Sequence, residues 1–275
     1  MIEIIRAGAS ASRAKAVIFD FDGTISLIRS GWMGVMIPLC VEQLSKLNTG
    51  ESEEELRSTV EEFVWHLTGK ETIYQMMALA EAVEKRGGRP LEPLAYKRIY
   101  LDHLWLKIRN RVEGLRAGSA KPEQYMVPGA RELLERLVEQ GLRLYLASGT
   151  DHVDVNEEAA LLGVSRYFGE RVYGAQDDLK SFSKAILVQQ ILARTGGLQP
   201  DELLVFGDGY VEIEEVKKAG GIAVGVATAE PECLEVDPWK RRRLINAGAD
   251  YIIPNYLACD ELCSTLLSAS AIMTP

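Results

Sequence analysis

The pattern of apolar and polar positions divides the chain into three parts. A short apolar run that begins at Ala16 is typical of a buried strand, and it ends in two acids, Asp20 and Asp22. Residues 31–118 then show apolar positions at helical spacing almost throughout. After Pro128, helix-like and strand-like segments alternate, which predicts a parallel sheet covered by helices.

Breaks rich in glycine divide the second part into four predicted helices. Their ranges are residues 32–47, 53–67, 71–86 and 92–113. Ser52 followed by Glu55 forms a capping-box pattern at the start of the second helix. Four helices placed between the first strand and the rest of the chain predict a separate bundle.

The third part consists of α/β units. Predicted strands cover residues 142–147, 171–173, 203–206, 222–226 and 251–253, and predicted helices cover 129–140, 153–162, 183–194, 212–219 and 239–247. The tail from Ser264 carries little pattern, and we expect it to fray. Ligands of a parallel sheet bind at the carboxyl ends of its strands, where Asp20 is expected to lie.

Composition restricts the classes of partner. The net charge of -9 argues against a surface for nucleic acid or anionic membrane, although local cations or a metal could still hold a small anionic substrate. No apolar run approaches the roughly 18 residues of a membrane span, and we expect no signal peptide. The 4 cysteines form no Cys-x-x-Cys pair. We therefore expect a cytoplasmic monomer or homodimer.

The acids at the end of the first strand are the strongest candidate for chemistry. Asp20 and Asp22 are two residues apart, and Gly23 permits a sharp turn after them. Carboxylates can hold Mg²⁺, and an aspartate can also attack phosphorus. The alternative is an ordinary turn, because Asp and Gly both favour turns.

Two other strand ends carry matching groups. The strand 142–147 is followed by Ser148-Gly149-Thr150, whose hydroxyl and backbone N–H groups suit a phosphoryl oxygen. The strand 203–206 is followed by Asp208, with Glu212 four residues beyond it. Asp208 could be a metal ligand, and Glu212 could hold a metal-bound water or orient a lysine. The alternatives are a helix cap and a turn with an acidic helix start.

A lysine at the start of the helix 183–194 adds a positive charge. Lys184 is unfavourable there for the helix dipole, which indicates that another group requires the cation. Near a phosphoryl group, it would neutralise charge in the transition state. Lys180, four residues upstream, is the alternative.

Together these segments resemble the four motifs of the haloacid dehalogenase superfamily, in the same order along the chain. They are Asp20-Phe-Asp22-Gly-Thr24, Ser148-Gly-Thr150, Lys184 and Gly207-Asp208-Gly-Tyr-Val-Glu212. The resemblance implies an α/β fold with a Rossmann-like parallel-sheet core. It assigns residues 1–30 and 119–275 to this core and residues 31–118 to an inserted α-helical bundle that serves as a cap domain.

The resemblance also implies a role for each motif residue. Asp20 corresponds to the nucleophile, Asp22 to the general acid and base, and Ser148 and Lys184 to the groups that hold phosphoryl oxygens, together with Gly149 and, as the alternative lysine, Lys180. Mg²⁺ is the implied cofactor, with Asp20, Asp22, Asp208 and Glu212 as its site. Glu212 departs from the aspartate that many members have there, which leaves its contact open.

The second acid narrows the expected reaction. In this family an aspartate at the position of Asp22 implies phosphate-ester chemistry rather than dehalogenation. We expect a Mg²⁺-dependent phosphatase for a small phosphorylated metabolite, such as a sugar phosphate or a phosphoglycolate-like ester. A sugar phosphomutase of the β-phosphoglucomutase type and a non-catalytic phosphate-binding module are the alternatives.

Four residues in or near the predicted cap are candidates for substrate contact. Arg29 and Trp32 follow the first motif, and Lys70 and Tyr74 follow the break at Thr68. Two cations near the mouth of the site would suit an anionic or polar substrate. The alternative is that the aromatic side chains belong to the helical core and that Lys70 is solvated.

Overall fold

The computed structural model describes residues 2–176, 183–194 and 198–268, and its centre is a mostly parallel sheet. The strands of the described residues are β1 (Glu3–Ile4), β2 (Ala16–Asp20), β3 (Arg143–Asp151), β4 (Val172–Ala175), β5 (Leu203–Gly207), β6 (Ile222–Val226) and β7 (Tyr251–Ile253). Their spatial order is β1-β7-β6-β5-β2-β3-β4. Only the pairing of β1 with β7 is antiparallel among these strands. The predicted α/β fold with a parallel-sheet core is therefore confirmed.

The first long strand, β2, lies inside the sheet between β3 and β5. All five of its residues are buried, as expected for a strand covered on both faces. Phe19 on β2 lies opposite Phe206 on β5, and the two rings stack with their centroids 4.9 Å apart. This cross-strand pair helps to set the register that brings Asp20 to the carboxyl end of the sheet.

Helices cover both faces of the sheet. Those outside the insert are α5 (Ala130–Glu139), α6 (His152–Leu161), α7 (Ser165–Phe168), α8 (Lys184–Arg194), α9 (Tyr210–Lys218), α10 (Pro238–Asn246) and α11 (Cys259–Leu267). Short 3₁₀ turns occupy Pro122–Tyr125 and Pro200–Glu202. Two separate groups of buried apolar residues fill the spaces between the helices and the sheet.

Five α-helices lie between β2 and β3 along the chain. The first four form residues 33–116, which we call the helical insert. They are α1 (Met33–Ser45), α2 (Glu53–Leu67), α3 (Thr72–Lys85) and α4 (Pro93–Arg116). The predicted capping box is confirmed, because Ser52 Oγ accepts from the N–H of Glu55 and the Glu55 carboxylate accepts from the N–H of Ser52. The larger of the two apolar groups is continuous from the sheet into this insert and includes Phe19 and Met36.

Several boundaries differ from the predicted ones. Strand β3 continues to Asp151 rather than ending at residue 147, because Asp151 pairs again with Ala175 after an irregularity in the ladder. Helix α4 passes through Gly114 and ends at Arg116. Leu262 and Leu266 are buried in α11, so the chain is helical to Leu267 where fraying was expected from Ser264.

Four short elements carried too little pattern to be predicted, namely β1, α7 and the two 3₁₀ turns. Each has at most four residues, which is less than the length over which a hydrophobic period can be recognised. Within the described residues, we find no helix with the length and apolar character that a bilayer crossing needs.

Candidate active site

The carboxyl end of the central strand holds a buried ion pair. Asp20 closes β2 and is only 5% exposed, and the Lys184 Nζ donates to its Oδ1 at 2.8 Å. Lys184 is the first residue of α8, so the strand and the helix start meet at this point. The sequence indicated a lysine near carboxylates, and the structure identifies Asp20, 164 residues away along the chain, as one of its partners.

A second acid shares the same lysine. Glu212 in the first turn of α9 accepts from Lys184 Nζ at 2.8 Å through Oε2, while its Oε1 accepts from the Gly209 N–H at 2.8 Å. Glu212 is 1% exposed. The two carboxylates explain why a lysine is tolerated at the start of a helix, where the dipole disfavours it.

Burial and charge act in opposite directions on these groups. Burial lowers the pKa of Lys184, but the charges of Asp20 and Glu212 outweigh burial and raise it, so the lysine stays protonated. Burial raises the pKa of Asp20 well above its usual range, and the neighbouring Glu212 and Asp208 act in the same direction, although Lys184 opposes them. An ionised Asp20 therefore gains from any further positive charge at this site.

The second acid of the first motif, Asp22, lies against the C-terminal part of β3, the strand next to β2. Its Oδ2 accepts from Thr150 Oγ1 at 2.8 Å and from Ser148 Oγ at 3.2 Å. Its Oδ1 is buried and has no hydrogen-bond partner within the described residues. Burial raises the pKa of Asp22, and the charge of Arg29 partly offsets this. One carboxylate oxygen is thus fixed while the other is open to a ligand.

The turn after Asp22 brings Asp208 into the site. The Asp208 N–H donates to Thr24 Oγ1 at 3.0 Å. Gly23 has a φ of +75°, and a β-carbon there would lie 2.2 Å from Asp208 Oδ2. Only glycine fits this position, because the backbone needs a left-handed φ and the carboxylate leaves no room for a side chain.

Three carboxylates form a potential cation site. Oxygen atoms of Asp20, Asp208 and Glu212 lie within 4.8 Å of one another. Hard cations such as Mg²⁺ take oxygen ligands, so this donor set fits the implied metal. Asp208 Oδ2 also accepts a hydrogen bond from Lys240 Nζ at 2.9 Å, and the same Nζ donates to Glu230 Oε1 at 3.2 Å.

A cavity of about 100 Å³ opens beside Asp20. The core contributes residues of all four predicted motifs, and the helical insert contributes residues of α3, of α4 and of the loop between α2 and α3. The lining residues are Asp20, Asp22, Arg29, Trp32, Thr68, Gly69, Lys70, Thr72, Gln75, Tyr100, Leu104, Gly149, Thr150, Lys184 and Asp208. Of the predicted phosphate-binding residues, Gly149 and Lys184 line this space between the sheet and the insert, whereas Ser148 is fully buried outside the lining.

A larger cavity of about 440 Å³ lies on the other side of Asp22 and Asp208. It shares five lining residues with the small one, namely Asp22, Arg29, Trp32, Thr68 and Asp208. The segment that follows Asp22, two residues of α4, the loop after β6 and the start of α10 form the remaining wall. The two cavities together offer room for a phosphoryl group and for the molecule that carries it.

The four candidate substrate residues occupy different places. Arg29 and Trp32 line both cavities, and Lys70 lines the small one. Tyr74 lines neither cavity; instead, Lys70 Nζ lies over its ring, 5.6 Å from the ring centroid. The structure therefore brings three of the four to the site.

Arg29 is held by two acids of α6. Its Nε donates to Glu158 Oε1 at 2.9 Å, and its Nη2 donates to Asp154 Oδ2 at 2.9 Å. Burial raises the pKa of Glu158 to about 7, although Arg29 opposes this shift. Because Asp154 and Glu158 both bind its guanidinium, Arg29 is held in a fixed position where it lines the cavity between the core and the insert.

Several lining residues were missed by sequence reasoning. Thr150 was within the second motif, but its bond to Asp22 became visible only in three dimensions. Gln75 and Tyr100 come from α3 and α4, whose helical patterns do not distinguish cavity-facing positions. Lys240 belongs to a basic run typical of a solvated helix face, so no signal identified it. Lys180 lies outside the described residues.

Comparison with known proteins identifies the same family as the motifs do. The family model of the haloacid dehalogenase-like hydrolases matches residues 14–220. No curated protein matches the chain in sequence.

Solved structures share the fold at low sequence identity. A protein described as a predicted phosphoglycolate phosphatase from Haemophilus somnus is 16% identical, with a TM-score of 0.58 over 91% of this chain and 98% of that one. A haloacid dehalogenase-like protein of unknown function from Agrobacterium tumefaciens is 19% identical, with a TM-score of 0.58 over 92% and 98%. A β-phosphoglucomutase from Clostridium difficile is 17% identical, with a TM-score of 0.53 over 83% and 92%.

Proposed function

The chain belongs to the haloacid dehalogenase-like hydrolase family, and from this premise we propose that it is a Mg²⁺-dependent phosphatase. Its substrate is a small phosphorylated metabolite, and the reaction passes through an aspartyl phosphate on Asp20. The main support for the proposal is that the two acids have different environments. Asp20 is bound by Lys184, whereas one buried oxygen of Asp22 has no hydrogen-bond partner within the described residues, and both acids line the same cavity.

In the first step, Asp20 attacks the phosphorus of the ester. A bond forms between a carboxylate oxygen and phosphorus, and the bond from phosphorus to the ester oxygen breaks. Asp22 donates its proton to the departing alkoxide, so the alcohol leaves uncharged. The raised pKa of Asp22, caused mainly by burial, favours the protonated form that this step requires.

In the second step, water attacks the phosphorus of the aspartyl phosphate. Asp22, now ionised, accepts a proton from this water, the bond between Asp20 and phosphorus breaks, and inorganic phosphate forms. Ser148 and Thr150 hold the Asp22 carboxylate in place through both half-reactions. Lys184 and the Ser148–Gly149 backbone face the phosphoryl oxygens and balance their charge.

The carboxylates of Asp20 and Asp208, with the backbone carbonyl of Asp22, would hold Mg²⁺. When bound, the ion supplies positive charge that draws the phosphoryl oxygens toward Asp20. Both oxygens of Glu212 are engaged by Lys184 and the Gly209 N–H, which supports a role for Glu212 in orienting the lysine. A contact of Glu212 with a metal-bound water remains compatible with its place in the acid cluster.

We further propose that the helical insert acts as the cap over the active site and selects the substrate. Its Thr68–Lys70 segment, Gln75 and Tyr100 line the small cavity opposite the catalytic acids. The side chains that meet the leaving alcohol therefore come largely from the insert. Arg29 and Trp32, at the entrance to the insert, are proposed to contact the same part of the substrate.

A panel of phosphate esters tests the function. The full-length protein is incubated with MgCl₂ and sugar phosphates, phosphoglycolate and p-nitrophenyl phosphate, and free phosphate is measured. We expect release that depends on Mg²⁺ and disappears in Asp20→Asn, while Asp260→Asn, a change at an exposed position of α11 that lines neither cavity, retains it. Mass spectrometry after an acid quench should detect a phosphorylated peptide that contains Asp20.

Other outcomes identify the alternatives. An isomerised sugar phosphate without free phosphate would indicate a mutase. Binding of inorganic phosphate with no turnover of any ester would indicate a binding module. Full turnover by Asp20→Asn would exclude the aspartyl-phosphate route.

A further inference from the structure

The helix α10 carries an arginine that reaches from the core into the helical insert. Arg243 donates to the carbonyl oxygens of Trp65, His66 and Thr68, the last two at 3.0 and 2.7 Å. These carbonyls lie at the C-terminal end of α2 and just beyond it. The last carbonyls of a helix have no intrahelical donors, and a cation also complements the helix dipole there. A core side chain therefore caps a helix of the insert.

Two aromatic rings fix the guanidinium of Arg243 from the core side. Its central carbon lies 4.5 Å from the centroid of Tyr210 and 5.1 Å from that of Trp239. Tyr210 begins α9, directly after the loop of Asp208, and Trp239 precedes Lys240 in α10. Stacking on flat rings leaves the in-plane N–H groups free, so they are aimed at the insert.

The chain segment that follows these carbonyls lies on the catalytic loops. Gly69 approaches the backbone after the fourth motif so closely that a β-carbon on it would be 3.1 Å from Gly209 Cα. On the other side, a β-carbon on Gly149 would lie 3.0 Å from the carbonyl oxygen of Lys70. The loop between α2 and α3 is thus inserted between the second and fourth motifs.

We propose that Arg243 is a positioning residue that holds the α2–α3 loop closed over the phosphoryl site. It acts by capping the C-terminal end of α2, three residues before the loop meets Gly149, and it touches neither the substrate nor the catalytic carboxylates. The inference rests on the proposed function only for its kinetic consequence. Arg243 lies outside the matched residues 14–220, so the family motifs do not include it.

The contacts of Arg243 also predict which replacement can still cap the end of α2. All three acceptors are backbone carbonyls spread over four residues, and a planar guanidinium reaches several acceptors at once. A lysine carries its donors on a single nitrogen and can serve only part of this set. Arg243→Lys should therefore be intermediate between the wild type and Arg243→Met, which keeps the stem but has no donor.

The first test is hydrogen–deuterium exchange of the full-length protein, with Arg242→Met as the matched control. Arg242 is the exposed neighbour on the same helix and forms no hydrogen bond or ion pair with the insert within the described residues. In Arg243→Met we expect the amides of residues 66–72 to exchange about tenfold faster, since the closed state loses its cap. The amides of β2 and β5 should be unchanged. Equal exchange of residues 66–72 in the wild type and Arg243→Met would overturn the proposal.

The second test separates positioning from a general loss of structure. With p-nitrophenyl phosphate, we expect Arg243→Met to raise KM about tenfold and change kcat much less, with Arg243→Lys between it and the wild type. An unaltered KM in Arg243→Met, with faster exchange, would overturn the kinetic part. If the wild type hydrolyses no ester, the proposed function fails, but the role of Arg243 can still be tested with inorganic phosphate. In that case we expect phosphate to slow the exchange of residues 66–72 in the wild type but not in Arg243→Met. Equal protection in both would overturn it.

Discussion

At the scale of single residues, the two acids of the first motif differ in their environments. Asp20 is paired with a lysine, whereas Asp22 is bound through one oxygen by two hydroxyl groups. The motif alone could not distinguish a turn from a site, because both use the same residue types. The groups that make the distinction, Ser148 and Thr150, come from a strand more than a hundred residues away along the chain.

Removal of one hydroxyl tests how strongly the Asp22 orientation matters. Thr150→Val keeps the shape of the side chain but loses the 2.8 Å bond to Asp22 Oδ2. We expect kcat to fall about tenfold or more, because the acid is no longer held toward the leaving group. Thr150→Ser, which retains the hydroxyl, should stay close to the wild type in steady-state assays. Equal rates for the valine and serine variants would contradict this role.

The buried acid behind Arg29 makes stability depend on pH. Burial raises the folded-state pKa of Glu158 from 4.5 to about 7, and one oxygen, Oε2, has no partner in the described part of the chain. A raised pKa means that the protonated form favours folding, and this contribution is lost as the pH rises through about 7. We expect the unfolding free energy of the wild type to fall relative to Glu158→Gln by ~2 kcal/mol between about pH 5 and pH 8.

Urea titrations at several pH values measure this difference. Glu157→Gln, at an exposed position on the same helix, serves as the control and should run parallel to the wild type. A constant gap between the wild type and Glu158→Gln across this range would show that Glu158 does not change its protonation on unfolding.

At the scale of elements, the alternation of helices and strands was predictable because each long segment has a clear period. Strands β6 and β7 and helix α2 have the predicted bounds. Sequence reasoning could not predict how the insert lies on the sheet. That placement depends on single contacts, such as Arg243 with the end of α2, that leave no periodic signature.

The loop between α2 and α3 offers a test with an internal control. Gly69 and Gly87 both have positive φ, +95° and +75°, but only Gly69 lies against the fourth motif; a β-carbon on Gly87 would meet nothing within 4 Å. Alanine at either site should cost about 1 kcal/mol of stability through backbone strain. Only Gly69→Ala should also lower kcat/KM, by about tenfold, because its β-carbon pushes against Gly209. Similar kcat/KM values for both variants would contradict the close fit.

At the scale of the whole molecule, an acidic chain concentrates positive charge at one place. The net charge is -9, yet Lys184 and Lys240 converge on the acid cluster and Arg29 lines the adjoining cavity. The excess of acids argues against binding to nucleic acid or an anionic membrane, and the local cations favour a small anion. The composition indicated this class of ligand, while the positions of the cations required the fold.

The ion pair of Lys240 with Asp208 is expected to weaken cation binding. The ammonium occupies Asp208 Oδ2 at 2.9 Å, so a divalent ion must compete with it or share the carboxylate. Removal of this charge in Lys240→Met should tighten Mg²⁺ binding by about tenfold, since like charges a few ångströms apart repel each other. Isothermal titration calorimetry measures the Kd without reference to turnover.

The control for this measurement is Lys107→Met. Lys107 lines the large cavity, and the described contacts of Asp208 do not include it. Its removal changes the net charge by the same amount and should leave the Kd nearly constant. Unchanged or weaker Mg²⁺ binding in Lys240→Met would mean that the lysine supports the site instead of competing for it.

The apolar cluster that runs from the sheet into the helical insert has a consequence for cooperativity. Phe19 of the central strand and Met36 of α1 belong to the same buried group, which is continuous from the core into the insert. Parts that share one interior cannot lose it separately without exposing each other's apolar surface. Differential scanning calorimetry should therefore record a single unfolding peak for the core and the insert together, although the insert interrupts the sheet along the sequence.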